Sequence, residues 1–215
     1  MVTLLDQQLW FPHPNQANSR GLVAIGGDLS LPRLRLAYRS GIFPWTVHPI
    51  TWWSPDPRAV FEWDHFHIPR SLRQVLRRNP YRVTLNQSFR AVIQGCASAR
   101  RDGNWITPEF IEAYTTLHEH GLAHSVECWA GEELAGGIYG VAMGGLFAGE
   151  SMFHRKDNAS KVALCHLMEH LRHRHFVLFD IQMLTPTTRQ LGGRTIPRAE
   201  YLARLKEAID LPRTF

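Results

Sequence analysis

His124-Ser-Val-Glu-Cys-Trp-Ala130, Leu134-Ala-Gly-Gly-Ile-Tyr-Gly-Val141 and Gly145-Leu-Phe-Ala-Gly-Glu-Ser-Met-Phe153 are three short strand-like runs. Gly131-Glu132-Glu133 separates the first two and Met143-Gly144 the second two. Spacers this short, with a glycine free to turn, join antiparallel neighbours, so the segment predicts a β-meander. Gly136, Gly137, Gly140, Gly144 and Gly145 lie within or between these strands, where close packing accounts for them as well as a ligand would.

Outward from the meander the pattern changes to helical spacing. Asn158 can cap a helix in which Leu164, Leu167, Met168 and Leu171 share a face. Val177-Leu-Phe-Asp-Ile-Gln-Met183 reads as a strand, and Ala199 to Ile209 as a last helix. On the other side, Tyr81 to Leu85 reads as a strand and Phe89 to Ala99 as a helix. Thr107 then caps a helix with Pro108 at its first position, an apolar stripe of Phe110, Ala113, Tyr114 and Leu117, and Gly121 as its stop. From Val60 onward, helices and strands therefore alternate in an α+β pattern.

The first sixty residues read differently. Phe11-Pro12, Gly26-Gly27-Asp28, Phe43-Pro44-Trp45 and Pro55-Asp56-Pro57 punctuate them. One helix is predicted, with Ser30 as its N-cap, Pro32 in the first turn, Leu34 and Tyr38 on one face and Gly41 at its end. The rest reads as a compact, irregular module whose Trp and Tyr side chains form either core or a flat stacking surface.

Composition bounds the function classes. A hydrophobic fraction of 44% in 215 residues supports a sizeable core and excludes disorder. A net charge of +5 permits a polyanionic partner without requiring one. Cys96, Cys128 and Cys165 are odd in number and far apart, which is neither a disulfide framework nor a zinc ribbon. His166 and His170 have the i, i+4 spacing of metal ligands but no third ligand beside them, and His118-Glu119-His120 is not HExxH. There is no GxGxxG, GxxxxGK[ST] or GxSxG, so nucleotide hydrolysis and serine-hydrolase chemistry lack their motifs. Asp6 interrupts the N-terminus before an apolar run, and no stretch reaches the roughly 20 apolar residues of a membrane span. A cytoplasmic protein without membrane association is expected.

Three places can carry chemistry. In the strand from Val177 to Met183, alternation puts Val177, Phe179, Ile181 and Met183 on one face, and Asp180 and Gln182 with Leu178 on the other. Two polar groups in an otherwise apolar strand need partners or a ligand, and spacing alone leaves a structural Asp–Gln pair equally open. Glu150 shares a face with Ala148 and Met152 by the same alternation, opposite Phe147, Gly149, Ser151 and Phe153. It can receive a cationic group or pair with an internal arginine. Arg70, Arg73, Arg77 and Arg78 recur at roughly helical spacing, as a solvated face or a phosphate-contacting one.

Longer words add a resemblance. Gly21-Leu-Val-Ala-Ile-Gly-Gly-Asp-Leu-Ser30, Ala37-Tyr-Arg-Ser-Gly-Ile-Phe-Pro-Trp45, Trp52-Trp-Ser-Pro-Asp-Pro-Arg-Ala-Val60, Trp105-Ile-Thr, Gly149-Glu-Ser-Met-Phe153, Asn158-Ala-Ser-Lys161 and Phe179-Asp-Ile-Gln182 occur in this order. With them the chain resembles the bacterial leucyl/phenylalanyl-tRNA–protein transferase family, from about Trp10 to the last helix. The resemblance implies a small N-terminal domain, residues 1–58, and an acetyltransferase-like (GNAT-like) catalytic domain, residues 59–215, with a central mixed sheet flanked by helices. It implies transfer of leucine or phenylalanine, and less well methionine, from aminoacyl-tRNA to proteins with N-terminal Arg or Lys in the N-end rule pathway. No metal or cofactor is implied, and a monomer is expected.

Residue by residue, the resemblance puts the aminoacyl-end contacts at Tyr38, Trp45, Trp105 and Tyr114. Phe147, Glu150 and Met152 match positions near the amino-acid pocket and the reacting centre, and Asp180 and Gln182 match the pair assigned to catalysis. An apolar pocket near Ile138 and Met152 would select the amino acid, while Glu150 and Asp180 would draw a cationic N-terminus. Gln182 is too weak a base to take a full proton, so its carbonyl is expected to accept a hydrogen bond from the attacking amine, oriented by Asp180. Thr187 and Gln190 stand where the family shows His and Ser, which puts acceptor preference in doubt. Two other readings are an acyl-CoA-dependent N-acyltransferase, whose glycine-rich pyrophosphate loop is missing between Arg155 and Ala159, and a non-catalytic RNA-binding module, which leaves Asp180 and Gln182 unexplained.

Overall fold

The computed structural model describes residues 2–99 and 105–215. In chain order the strands are β1 (Thr3–Leu5), β2 (Leu22–Gly26), β3 (Phe43–Val47), β4 (Ile50–Trp53), β5 (Arg58–Phe61), β6 (Arg82–Leu85), β7 (Ala123–Ala130), β8 (Glu133–Met143), β9 (Leu146–His154), β10 (Leu178–Gln182) and β11 (Arg194–Ile196). The helices are α1 (Leu31–Arg39), α2 (Arg70–Arg78), α3 (Phe89–Ser98), α4 (Pro108–Glu119), α5 (Ala159–His173), α6 (Pro186–Gln190) and α7 (Arg198–Ala208).

The meander forms as its spacers predict, with β7, β8 and β9 antiparallel in sequence order. It is the centre of a seven-stranded mixed sheet in the order β11-β5-β10-β9-β8-β7-β6. The β9–β10 pair is parallel, because α5 crosses over between the two strands. Alternate strand residues feed two cores. Tyr139, Leu146, Ala148 and Leu178 face a core built with α1, α3, α4 and α7, whereas Ile138, Phe147 and Phe179 face a second one built with α2 and α5. The α+β class read from the sequence is therefore the observed one.

The N-terminal segment corrects the expectation of an irregular module. It holds a second, four-stranded sheet in the order β1-β2-β4-β3, with β1 parallel to β2 and the rest antiparallel. Its strands are three to five residues long and its register slips between Leu22 and Ala24 and between Pro44 and Thr46. Such interruptions erase the period-2 signal that a strand otherwise leaves. Trp52 and Tyr38 are core residues of this part, and they belong to the same core as Tyr139 and Leu146 of the large sheet. Helix α1 starts after Ser30 as expected, but the Ser30 side chain makes no cap bond; its backbone N–H donates to Asp28 instead.

Two strands depart from simple alternation. Val177 and Met183 fall outside β10 and are 51% and 41% exposed, so the expected four-residue apolar face reduces to Phe179 and the half-buried Ile181. In β9, Ala148 and Met152 pack on opposite sides of the sheet, and so do Phe147 and Phe153, which contradicts both groupings expected from alternation. The cause is a bulge, and it creates the site.

Candidate active site

Across β8 and β9, Tyr139 pairs with Ser151 and Gly140 with Gly149, so Glu150 is the extra residue of the bulge. Gly140 is required there. A Cβ on it would lie 2.3 Å from the Ala148 carbonyl oxygen and 2.5 Å from the Phe147 ring. The bulge aims the Glu150 side chain toward α1 and α4 instead of along the pleat. Its Oε1 accepts hydrogen bonds from the Tyr38 hydroxyl at 2.7 Å and from Gln182 Nε2 at 2.8 Å, with the Tyr114 hydroxyl 3.4 Å from Oε2. The two phenol oxygens are 2.5 Å apart, in reach for Tyr114 to donate to Tyr38 as Tyr38 donates to Glu150.

Every donor to Glu150 in this network is neutral, and the arginine partner open to it in the sequence reading is absent from the network. Burial pushes the carboxyl up to about 7, hydrogen bonds from Tyr38 and Gln182 oppose that rise, and the nearby Asp180 charge adds to it. Burial and the Glu150 charge likewise hold the Tyr38 and Tyr114 hydroxyls well above the usual tyrosine range, so both remain donors. Glu150 is thus a carboxyl able to gain and lose a proton near neutrality.

A second bulge supplies Gln182. Between β10 and β5, Asp180 pairs with Val60 and Gln182 with Ala59, so Ile181 is the extra residue. Gln182 adopts φ 60°, a left-handed conformation that residues with a Cβ rarely take. Its backbone N–H donates to Asp180 Oδ1 at 2.8 Å. Asp180 also receives Arg58 Nε at 2.9 Å on Oδ1, and on Oδ2 Arg58 Nη2 at 2.6 Å and the Tyr201 hydroxyl at 2.9 Å. Arg58 and Asp180 are both 1% exposed. Asp180 is thus paired with Arg58 through both of its oxygens, and it contacts Gln182 through the backbone N–H rather than the side chain.

Two cavities meet at Glu150. One, of about 100 Å³, is a cleft lined by Phe43, Trp45, Trp105 and Gln182 among others. The other, of about 300 Å³, is lined chiefly by Phe61, Ile138, Met152, Leu164 and Phe179. Glu150, Ile181, Met183 and Thr185 line both. The structure thus brings together Tyr38, Tyr114, Glu150 and Gln182 in one network, places Trp45 and Trp105 in the aromatic cleft, and places Ile138 and Met152 in the apolar pocket. Phe147 lines neither; it is buried behind the pocket, its ring 5.4 Å from that of Phe179 and perpendicular to it. Asp180 stands behind Gln182 and also lines neither.

Arg58, Tyr201, Ile181, Met183 and Thr185 are not among the expected site residues. Arg58 carried a signal, a lone cation opening the apolar run Ala59-Val60-Phe61. Thr187, one of the two departures from the family pattern, lines the apolar pocket, whereas Gln190 is exposed and lines neither cavity. The four arginines, Arg70, Arg73, Arg77 and Arg78, lie exposed on α2, and Leu72 is the buried residue of that helix.

An aromatic cleft and a largely apolar pocket therefore converge on one buried carboxyl, Glu150, at a bulge of a mixed sheet. A family model described as leucyl/phenylalanyl-tRNA protein transferase matches residues 60–206, and one for the N-terminal domain of the same proteins matches residues 27–56. The leucyl/phenylalanyl-tRNA–protein transferase of Erwinia tasmaniensis is 51% identical over 209 residues, covering 95% of this chain and 91% of its relative. That of Azotobacter vinelandii is 50% identical over 221 residues, covering 100% and 98%. The chain belongs to the leucyl/phenylalanyl-tRNA–protein transferase family and is an aminoacyltransferase. Among solved structures, L-PGS from Bacillus licheniformis aligns with TM-score 0.46 at 11% identity, over 84% of this chain and 70% of that one. A GCN5-related N-acetyltransferase from Kribbella flavida aligns with TM-score 0.40 at 9% identity, over 74% and 58%.

Proposed function

We propose that this protein transfers leucine or phenylalanine, and methionine less well, from aminoacyl-tRNA to the α-amino group of proteins with N-terminal Arg or Lys, marking them for N-end rule degradation. The observation that carries the reading is the meeting of the two cavities at Glu150, to which Gln182 hydrogen-bonds from the wall of the aromatic cleft. Trp45 and Trp105 offer flat faces on which the terminal nucleotide can stack, which is sequence-tolerant and strong. An apolar pocket of about 300 Å³ lies at the small end of ligand sites, suited to one amino-acid side chain. The exposed arginines of α2 suit the tRNA phosphates.

The aminoacyl ester is already activated, so holding amine and ester together supplies most of the acceleration. The acceptor α-amine, with an ordinary pKa of about 8, is partly neutral at cellular pH. Its nitrogen attacks the ester carbonyl, the carbon–nitrogen bond forms, and the bond to the ribose oxygen breaks. Gln182 spends its amide N–H on Glu150, which leaves its carbonyl oxygen to accept a hydrogen bond from the amine. Glu150 takes the departing amine proton and returns one to the leaving ribose oxygen, so protons balance. Its charge before that step favours a cationic N-terminal residue.

Residues 1–58 act as the small N-terminal domain and residues 59–215 as the catalytic one, working as a monomer. Among the described residues no helix is long and apolar enough to cross a membrane, and the proposed site of action is the cytoplasm. The test is to incubate the protein with leucyl-tRNA and an Arg-N-terminal peptide and look for the mass of one added leucine. Gln182→Ala should lower kcat about 100-fold at saturating substrates. Absence of product with tight tRNA binding, or an unchanged kcat, overturns the reading.

A further inference from the structure

Arg58 opens β5, is buried, and lines neither cavity. Its guanidinium lies between the rings of Phe43 and Tyr201, 4.8 and 4.4 Å from their centroids. Nε and Nη2 grip both oxygens of Asp180, and Nη1 donates to the Gly41 carbonyl at 3.2 Å, the glycine that ends α1 at φ 74°. Three elements are thus tied to one planar group: β5, β10 and the end of α1. The same Asp180 Oδ1 that receives Arg58 Nε also receives the Gln182 backbone N–H.

A buried ion pair contributes little to stability compared with well-packed apolar residues of the same volume, so stability is a poor account of this one. What a bidentate arginine–carboxylate pair supplies is fixed geometry. The geometry needing support lies next to it, since Gln182 holds a left-handed backbone and persists there only if its surroundings over-determine it. A slip of the bulge would carry the Gln182 side chain away from Glu150, which it now reaches at 2.8 Å.

We propose that Arg58 is a positioning residue for the transfer reaction, acting through Asp180 to fix the Gln182 bulge and so to set the Gln182 side chain against Glu150. The inference rests on the role given to Gln182 above. Asp180 then serves as the relay of this grip rather than as a group that meets substrate.

The test is a kinetic cycle on the full chain with Arg58→Lys, Gln182→Ala and the double variant, assayed with leucyl-tRNA and an Arg-N-terminal peptide. Lysine keeps the charge but cannot bridge both Asp180 oxygens or stack between two rings. Arg58→Lys should lower kcat about 10- to 100-fold while the KM for leucyl-tRNA stays within about twofold. In the Gln182→Ala background the same change should cost less than about twofold, because the residue it acts through is gone. If Arg58→Lys does not fold, Arg58→Gln/Asp180→Asn, which removes both charges together, replaces it in the same cycle with the same expectation. A wild-type kcat for Arg58→Lys, or an equal loss in both backgrounds, overturns the inference. If Gln182→Ala alone retains wild-type kcat, the role of Gln182 falls first; a slow Gln182→Ala with additive losses overturns only the role of Arg58.

Discussion

Replacing Glu150 with glutamine separates what this carboxyl costs the fold from what it does for the reaction. In the folded protein the carboxyl is raised from an ordinary 4.5 to about 7 by burial, against the hydrogen bonds from Tyr38 and Gln182. A raised pKa means that the folded state binds the proton more tightly than the unfolded chain. The stabilisation is therefore fully present below about pH 4.5 and is lost as pH rises through about 7. The difference between those two values corresponds to about 3 kcal/mol. Glu150→Gln has the same size and can accept from Tyr38, but it has no charge to bury. Relative to the wild type, the variant should gain about 3 kcal/mol between about pH 4.5 and pH 8. In a chain of this size that widens the gap in Tm by about 6–12 °C. Urea or thermal denaturation of both proteins across this range measures it, and kcat/KM on the same samples should fall at every pH because the proton acceptor is gone. A stability gap that stays constant from about pH 5 to pH 8 refutes the reasoning, since Glu150 would then not change its charge in that window.

Trp45→Ala and Trp105→Ala should each weaken aminoacyl-tRNA binding by about 5- to 100-fold, the worth of one base-stacking face, as read by equilibrium binding. An unchanged affinity for both removes the aromatic cleft as the nucleotide site. Met152→Ala enlarges the apolar pocket, and it should shift the kcat/KM ratio toward phenylalanine over leucine by about tenfold when the two charged tRNAs compete. No shift would mean that the amino-acid side chain is held elsewhere.

Much of the large sheet was legible because its signals are local. The β7–β9 meander is joined by short glycine turns, and α4 starts at Pro108 after Thr107 and stops just before Gly121. The four-stranded sheet was not legible, because strands as short as Thr3–Leu5, with slips at Ala24 and Pro44, leave no period to read. For the site, Asp180 and Gln182 stood out as polar residues in an apolar strand, and Glu150 as a carboxylate among small ones. Their environments did not. The arginine partner of Asp180 lies 122 residues away, and Tyr38 lies 112 residues from Glu150.

The chain's residue pattern by itself determined the α+β class, the meander, most helices and, through its long words, the family. Tertiary structure decided the two bulges, and with them which way Glu150 and Gln182 point. A bulge adds one residue to one strand only, so it arises from how two strands pair and shifts the facing of every residue beyond it. The same pairing decided that Asp180 meets the guanidinium of Arg58 while Glu150 meets neutral donors only, so that burial raises the Glu150 carboxyl to about 7.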